Sequence, residues 1–309
     1  MTTPQASKTA FTAEPISMAG ATPFKEIIEG MTIAGLAWGD EQSDYAPIIA
    51  LHGWLDNAAS FARIGPLLAE QGFYVLALDL PGHGESSHRP PFGTYNLWDD
   101  LLILHTLIEK LCAENSWSHY HLLGHSRGAM ISTLSASAMP DKVLSLQALD
   151  GLLPETVSVE KTPEQLQKHI KEYMRVGRKR LPTYASLEDA ISARCKATGM
   201  SREAARPIVQ RGVKKGEDGR YIWRSDIRLT AASAIKFTDE HCQAVLKGIT
   251  VPFQMLMAEG GMGLWREFGL VMEQYPHLPI HRISGDHHFH LDDAAQELAE
   301  RVGSFIKAL

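Results

Sequence analysis

A chain of 309 residues with 44% hydrophobic and 21% charged residues is long enough to bury a sizeable core and has an ordinary globular composition. No apolar run approaches the roughly eighteen residues of a membrane-spanning helix, so we expect no membrane association. Three cysteines, odd in number and far apart, indicate neither a disulfide framework nor a zinc site. Residues 1–22 are small and polar without a secretory pattern, which predicts a flexible tail on a cytoplasmic protein.

The net charge of −6 is unevenly distributed. Residues 151–250 hold 19 Lys and Arg against 12 Asp and Glu, whereas the remainder holds 11 against 24. A basic segment can attract anionic substrates, dock onto the acidic part, or simply be solvated, and the sequence leaves these open. With a pI near 6.2 and no nucleic-acid motif, no nucleic-acid partner is expected.

Short apolar runs alternate with stretches of helical periodicity. The predicted strands are Phe24–Gly30, Met31–Gly39, Pro47–Leu51, Phe73–Asp79, His121–Leu123, Val143–Leu149, Val251–Glu259 and Pro279–Gly285. The predicted helices are Asn57–Gln71, Asn96–Cys112, Ser126–Ala138, Leu264–Gln274 and a closing helix that ends at Leu309. This alternation favours a largely parallel sheet with helices on both faces, in which functional sites form at the carboxyl ends of the strands.

The alternation stops after Asp150. Helix-like pieces at Pro163–Val176, Leu187–Thr198 and Ser201–Arg211 are broken by prolines and glycines, with no obvious buried strand between them. We therefore predict an inserted helical cap over residues 151–250, on a core made of residues 23–150 and 251–309.

A nucleophile is predicted at the turn Gly124-His125-Ser126-Arg127-Gly128. This is G-x-S-x-G between a strand and a helix, the context of a nucleophile elbow rather than of a chance match. Ser126 must adopt a strained backbone so that its hydroxyl projects, and residues two positions away come too close to carry a Cβ. An ordinary structural turn is the competing interpretation.

The general base should be a histidine on a late loop, because the chain order in this architecture is serine, acid, histidine. His287, in Gly285-Asp286-His287 after the last strand, fits that order, and His288 and His290 are its rivals. The run H-H-x-H could also suggest a metal, but no second ligand group lies at metal-site spacing, so none is expected.

Two residues are candidates for the acid of the triad. The commonest position is the loop after the strand at residues 253–257, but that loop has no aspartate. Asp150 ends the strand that follows the nucleophile helix, keeps the expected order and is preferred, with Glu259 as the alternative. An ordinary turn or capping role would also suit Asp150.

An oxyanion formed during acyl transfer needs preorganised donors. The expected pair is the backbone N–H of Arg127, after the nucleophile, and that of Trp54, behind His52-Gly53. The Arg127 side chain is expected to pair with an acid of the core or to bind an anionic substrate. His52, His83 and His125 are expected to stabilise turns.

Four segments, HGWLDNAASF, DLPGHGESS, GHSRGA and GDHHFHLD, together resemble the α/β-hydrolase fold superfamily. The segments YASLEDAISARCKATGMSREAARPIVQRG and GRYIWRSDIRL resemble the caps of serine hydrolase-like proteins, whose substrates are poorly defined. The resemblance implies an eight-stranded, mostly parallel α/β sheet with an inserted helical cap. It also implies a triad carried by Ser126, His287 and either Asp150 or Glu259. Gly261 stands at the superfamily's usual acid position.

The expected activity is cofactor-free hydrolysis of a small carboxylic ester or thioester through an acyl-enzyme, by a monomer or homodimer. Serine at the elbow argues against relatives that attack with a carboxylate, such as haloalkane dehalogenases and epoxide hydrolases. Carbon–carbon bond hydrolysis, perhydrolysis and slow-turnover ligand binding remain alternatives. Aromatic and sulfur side chains that could line an acyl pocket, or merely pack, are Trp54, Trp98, Tyr173, Met174 and Trp223.

Overall fold

A computed structural model describes residues 18, 20–176, 180–262 and 274–309. Its main feature is an eight-stranded sheet made of β1 (Thr22–Ile28), β2 (Met31–Trp38), β3 (Ile48–Leu51), β4 (Val75–Leu78), β5 (Tyr120–His125), β6 (Val143–Leu149), β10 (Phe253–Gly260) and β11 (Ile280–Asp286). The strand order is β1-β2-β4-β3-β5-β6-β10-β11. The first three strands in this order pair antiparallel, and all the other neighbours pair parallel. The predicted fold class is confirmed.

Helices cover both faces of this sheet. Strands β3 and β4 are buried at every residue, and their side chains alternate between two hydrophobic cores. Helices α2 (Asp99–Asn115), α3 (Arg127–Ala138) and α7 (Asp239–Gly248) contribute to one core, while α1 (Ile64–Ala69) and α8 (Ala295–Lys307) contribute to the other. The apolar runs in the sequence that form β3 and β4 are therefore strands covered by helices on both faces of the sheet.

Between β6 and β10 the chain forms a segment that we call the insertion. It contains α4 (Thr162–Val176), α5 (Leu187–Thr198), α6 (Arg202–Gly212) and α7, as well as a three-stranded sheet. That sheet is made of β7 (Thr183–Tyr184), β8 (Val213–Lys215) and β9 (Tyr221–Trp223). The sequence showed no obvious buried strand in this region, and the three strands found are mostly not buried. Strands of two or three residues show no periodicity in the sequence.

The predicted helix Asn57–Gln71 is divided in two. A 3₁₀ turn at Ala58–Phe61 is capped by the Asn57 side chain, and α1 begins only at Ile64. Pro66 has no N–H to donate one turn back, so a continuous helix would lose a hydrogen bond there. Of the predicted helix Leu264–Gln274, residues 264–273 lie outside the described chain.

None of the described helices is both long enough and apolar enough to cross a membrane.

Candidate active site

Ser126 lies at the junction of β5 and α3 in a conformation that few non-glycine residues adopt. Its φ of 51° and ψ of −116° place it in the left-handed half of the backbone map. A Cβ at Gly124 would collide with the Ala129 backbone, and one at Gly128 would collide with the Leu51 carbonyl. The two glycines are therefore sterically required, as the G-x-S-x-G pattern indicated.

Asp150 and His287 form a hydrogen-bonded pair beside this turn. His287 Nδ1 lies 2.5 Å from Asp150 Oδ2. Asp150 also accepts backbone N–H groups from Ala258 at 3.2 Å and Met262 at 3.3 Å, which fix its carboxylate. Its side chain is 1% exposed, whereas that of His287 is 24% exposed. A buried, oriented acid therefore holds a histidine that solvent reaches.

Glu259, the alternative acid, is exposed at the end of β10. The structure brings Asp150, and not Glu259, to His287. A Cβ at Gly261 would collide with the carboxylate of Asp150, so the carboxylate of residue 150 occupies the space in which a side chain at 261 would begin. This explains why the superfamily's usual acid position holds glycine here.

A backbone hydrogen bond holds Ser126 next to the acid, and the side chain of its neighbour His125 bonds the His287 carbonyl. The Ser126 N–H donates to the Leu149 carbonyl at 2.9 Å, one residue before Asp150. Among the described residues, Ser126 and His287 share no hydrogen bond. Because Asp150 accepts at Nδ1, the proton of a neutral His287 sits there and leaves Nε2 as the basic atom. Such nucleophile–base contacts often tighten only when substrate binds.

The two expected oxyanion donors lie at adjoining chain segments. The Arg127 N–H is at the first residue of α3, and Gly128 packs against the carbonyls of Leu51 and His52, two residues before Trp54. Within the described chain, neither the Arg127 N–H nor the Trp54 N–H donates a hydrogen bond. Both amides thus remain able to bind an anion near the N-terminus of α3.

The rival histidines face other partners. His290 Nε2 lies 2.9 Å from Ser60 Oγ, and burial lowers its pKa to about 3. His288 Nε2 lies 3.3 Å from Asp56 Oδ2. His125 Nε2 donates to the His287 carbonyl at 2.8 Å. The rings of His125 and His288 lie beside that of His287, at centroid distances of 4.7 and 5.0 Å, and His290 packs against His125.

His52 and His83 stabilise turns, as expected. His52 Nδ1 bonds the Gly53 carbonyl at 2.7 Å, and its Nε2 accepts the Leu80 N–H at 3.0 Å. His83 Nδ1 lies 3.1 Å from the Pro81 carbonyl. Burial lowers the pKa of both rings.

The Arg127 side chain pairs internally. It donates to Asp100 at 2.9 Å and to the carbonyl groups of Tyr95 and Asn96. Of its two expected roles, the structure therefore shows the pairing with an acid of the core.

The candidate pocket residues are dispersed. Trp54 is 50% exposed and donates its indole N–H to the Leu229 carbonyl. Trp98 stacks on Phe237, and the Trp223 indole bonds the Tyr184 hydroxyl. Tyr173 lines a shallow surface cleft with Thr94, Asn96 and Arg228, among others, and Met174 is 66% exposed.

Sequence reasoning missed one buried group near the histidine loop. Asp56 lies against His125 and His288, and its other carboxylate oxygen pairs with Arg194 of α5. Against the cost of burial, the neighbouring His288 and Arg194 side chains hold the Asp56 pKa well below its usual value. No pattern in the sequence could have revealed this group, because its members are far apart in the chain.

Three features together are typical of one class of protein. They are a mostly parallel eight-stranded sheet, a strained serine between strand and helix, and a histidine–aspartate pair at the same edge of the sheet. The chain belongs to the α/β-hydrolase fold superfamily, whose family model, described as alpha/beta hydrolase fold, matches residues 46–175.

Similar proteins extend the match over most of the chain. A serine hydrolase-like protein from Danio rerio is 26% identical, over 88% of this chain and 85% of its own length. Serine hydrolase-like protein 2 from Homo sapiens is 32% identical, over 66% of this chain and 64% of its own. A solved structure of a hypothetical protein from Pseudomonas aeruginosa PAO1 is 38% identical, with a TM-score of 0.85 over 92% of this chain and 99% of that one.

Proposed function

We propose that the protein is a serine hydrolase that cleaves a carboxylic ester or thioester through an acyl-enzyme. The observation that carries the proposal is the His287–Asp150 hydrogen bond of 2.5 Å beside a serine held at φ 51°. A turn with only a structural role does not require a strained serine. A surface histidine with only a structural role does not require a buried carboxylate that accepts three hydrogen bonds. The names of the serine hydrolase-like relatives agree with this function.

The roles follow from the atoms. Ser126 Oγ attacks the substrate carbonyl while His287 Nε2 takes its proton. Asp150 keeps the other ring proton at Nδ1 and stabilises the imidazolium that forms. The backbone N–H groups of Trp54 and Arg127 bind the oxyanion. His287 then protonates the leaving group, and water activated by the same histidine releases the acyl group.

We further propose that the insertion acts as a cap over the substrate pocket. The Trp54 indole donates to the Leu229 carbonyl, and the Asn57 amide donates to the Ile208 carbonyl of α6. These two bonds attach the insertion to the loop that carries the proposed oxyanion donor. The substrate would therefore bind between this loop and the insertion.

Labelling with a fluorophosphonate, followed by intact-mass measurement, tests the proposal. The wild type should gain one adduct, Ser126→Ala should gain none, and His287→Ala should react at least about a hundredfold more slowly, since general-base assistance is lost. His281→Ala is a matched control, because His281 is an exposed histidine on β11. A folded wild-type protein that gains no adduct would contradict the proposal.

The acid assignment needs a separate comparison. Asp150→Asn should lower kcat by on the order of 10⁴-fold, because the amide cannot hold the productive histidine tautomer. Glu259→Gln should leave kcat near the wild-type value, since Glu259 is exposed and His287 bonds Asp150 instead. Hydrolysis of a panel of p-nitrophenyl esters measures both. A large loss in the Glu259 variant with activity kept in the Asp150 variant would reverse the assignment.

A further inference from the structure

Three buried side chains that the proposed reaction does not use converge near the histidine loop. Asp56 follows β3, His125 lies in the serine turn, and His288 follows the proposed base. One nitrogen or oxygen atom from each lies within 4.8 Å of the other two. Asp56 Oδ2 is 3.3 Å from His288 Nε2 and 3.8 Å from His125 Nδ1. The side chains of Asp56 and His125 are at most 1% exposed.

The hydrogen bond on one side of His125 determines what the other side presents. His125 Nε2 lies 2.8 Å from the His287 carbonyl oxygen, which can only accept, so Nε2 carries a proton. A second proton on this ring would place a charge in a buried site next to three other histidine rings. Nδ1 therefore presents a lone pair to Asp56 Oδ2. Among the described residues, His125 Nδ1 has no hydrogen-bond partner, and the nearest imidazole nitrogen to Asp56 Oδ2 is His288 Nε2 at 3.3 Å.

The surroundings of these atoms match those of metal ligands. A histidine that binds a metal usually donates its other N–H to a backbone carbonyl or a carboxylate, as His125 does. The Asp56 oxygen that faces away from His125 is held by Arg194, which also donates to the Leu55 carbonyl at 3.3 Å. Asp56 Oδ2 is thus oriented toward the two imidazoles.

The distances and donors select the kind of ion. Ligand atoms 2.0–2.1 Å from a tetrahedral zinc ion lie roughly 3.3 Å apart. The two distances from Asp56 are 3.3 and 3.8 Å, and the two imidazole nitrogens lie within 4.8 Å of each other. Two imidazoles and one carboxylate suit zinc or cobalt rather than magnesium or calcium, which require mostly oxygen ligands. Arg194 already neutralises Asp56, so affinity must come largely from the imidazoles.

We propose that Asp56, His125 and His288 form a binding site for one divalent transition-metal ion, with zinc the best chemical match. Two of the ligands are tied to His287, one through its carbonyl and one as the next residue, so the ion would fix the backbone of the histidine loop. The sequence argued against a metal because it showed no second ligand group near H-H-x-H. The fold supplies that group from Asp56 and His125. Cation binding does not depend on the proposed hydrolase reaction.

The test uses the full chain purified without a histidine tag and stripped with a chelator. After incubation with Co²⁺ and gel filtration, elemental analysis should find one ion per chain, and the visible spectrum should show the intense bands of tetrahedral Co²⁺. Zn²⁺ should displace the cobalt and raise Tm, whereas Mg²⁺ and Ca²⁺ should do neither.

Conservative variants separate this site from surface binding. The His125→Gln amide can donate a hydrogen bond from near the position of His125 Nε2, and the His288→Gln amide can do so from near the position of His288 Nε2. Each substitution removes an imidazole nitrogen that would bind the metal. Each should weaken cobalt binding more than about tenfold without changing the Tm of the metal-free protein greatly. His281→Gln, an exposed histidine, should bind cobalt as the wild type does. The proposal would be overturned if the wild type bound no cobalt. It would also be overturned if His125→Gln and His288→Gln both bound cobalt as tightly as the wild type.

Discussion

The Asp150 carboxylate lies beside Gly261, where a Cβ at residue 261 would collide with it. The proposed acid is thus supplied by the strand after the helix that follows Ser126, and the loop after β10 contributes an N–H from Met262. An acid at residue 150 rather than at residue 261 requires two local conditions. Residue 150 must carry a carboxylate, and residue 261 must carry no side chain. The space available at residues 150 and 261 is therefore shared.

Gly261→Ala should lower kcat by up to about a hundredfold, because the added methyl displaces the carboxylate that orients His287. The same substitution should have little further effect in an Asp150→Asn background, where the orienting charge is already lost. A double-mutant cycle of kcat measures this coupling. Additive losses, or a fully active Gly261→Ala variant, would show that the two residues act independently.

At the scale of elements, a buried ion pair joins the insertion to the sheet. Arg211 of α6 donates to Asp79, which follows β4, at 2.7 to 3.1 Å, and to the Gly35 carbonyl of β2. Asp79 also accepts backbone N–H groups from Ala58 and Glu85. Since the two charged side chains are 7% and 0% exposed, removal of one leaves the other buried and without its counter-charge.

Arg211→Met should lower the free energy of unfolding by about 3 kcal/mol, since the Asp79 charge stays buried without a counter-charge. Arg202→Met is the matched control, because Arg202 pairs with Glu188 at a site where both side chains are about half exposed, and it should cost at most about 1 kcal/mol. Urea denaturation of both variants provides the comparison. Equal losses would mean that the buried pair does not anchor the insertion.

The elements differ in how far the sequence could predict them. Strand β6 and helix α5 have the predicted bounds, because a mostly apolar run and a helix with a Ser186 capping box are local signals. The short strands β7 to β9 are set by their pairing and were missed. In the site, the strand–serine–helix context is local and was found. The contact between Asp56 and His125 joins distant segments and leaves no spacing to recognise.

Across the whole molecule, burial keeps several histidines neutral. The pKa values of five fully or largely buried rings are lowered by desolvation, namely His52, His83, His121, His125 and His290. For His121 the pKa falls to about 4 and for His290 to about 3. In the unfolded chain each would titrate near 6.5. The unfolded state therefore binds more protons than the folded state over the interval between these values.

Stability should fall as the pH drops from about 6.5 toward 4, since acid favours the state that binds more protons. Each such histidine contributes at most about 1.4 kcal/mol per pH unit to this slope. His121→Asn should remove one contribution while keeping a polar atom near Ser145, whose Oγ lies 2.7 Å from His121 Nδ1. Urea unfolding at a series of pH values should show a shallower slope for this variant, and an unchanged slope for the exposed control His281→Asn. If His121→Asn kept the wild-type slope, buried His121 would not be a source of the acid sensitivity.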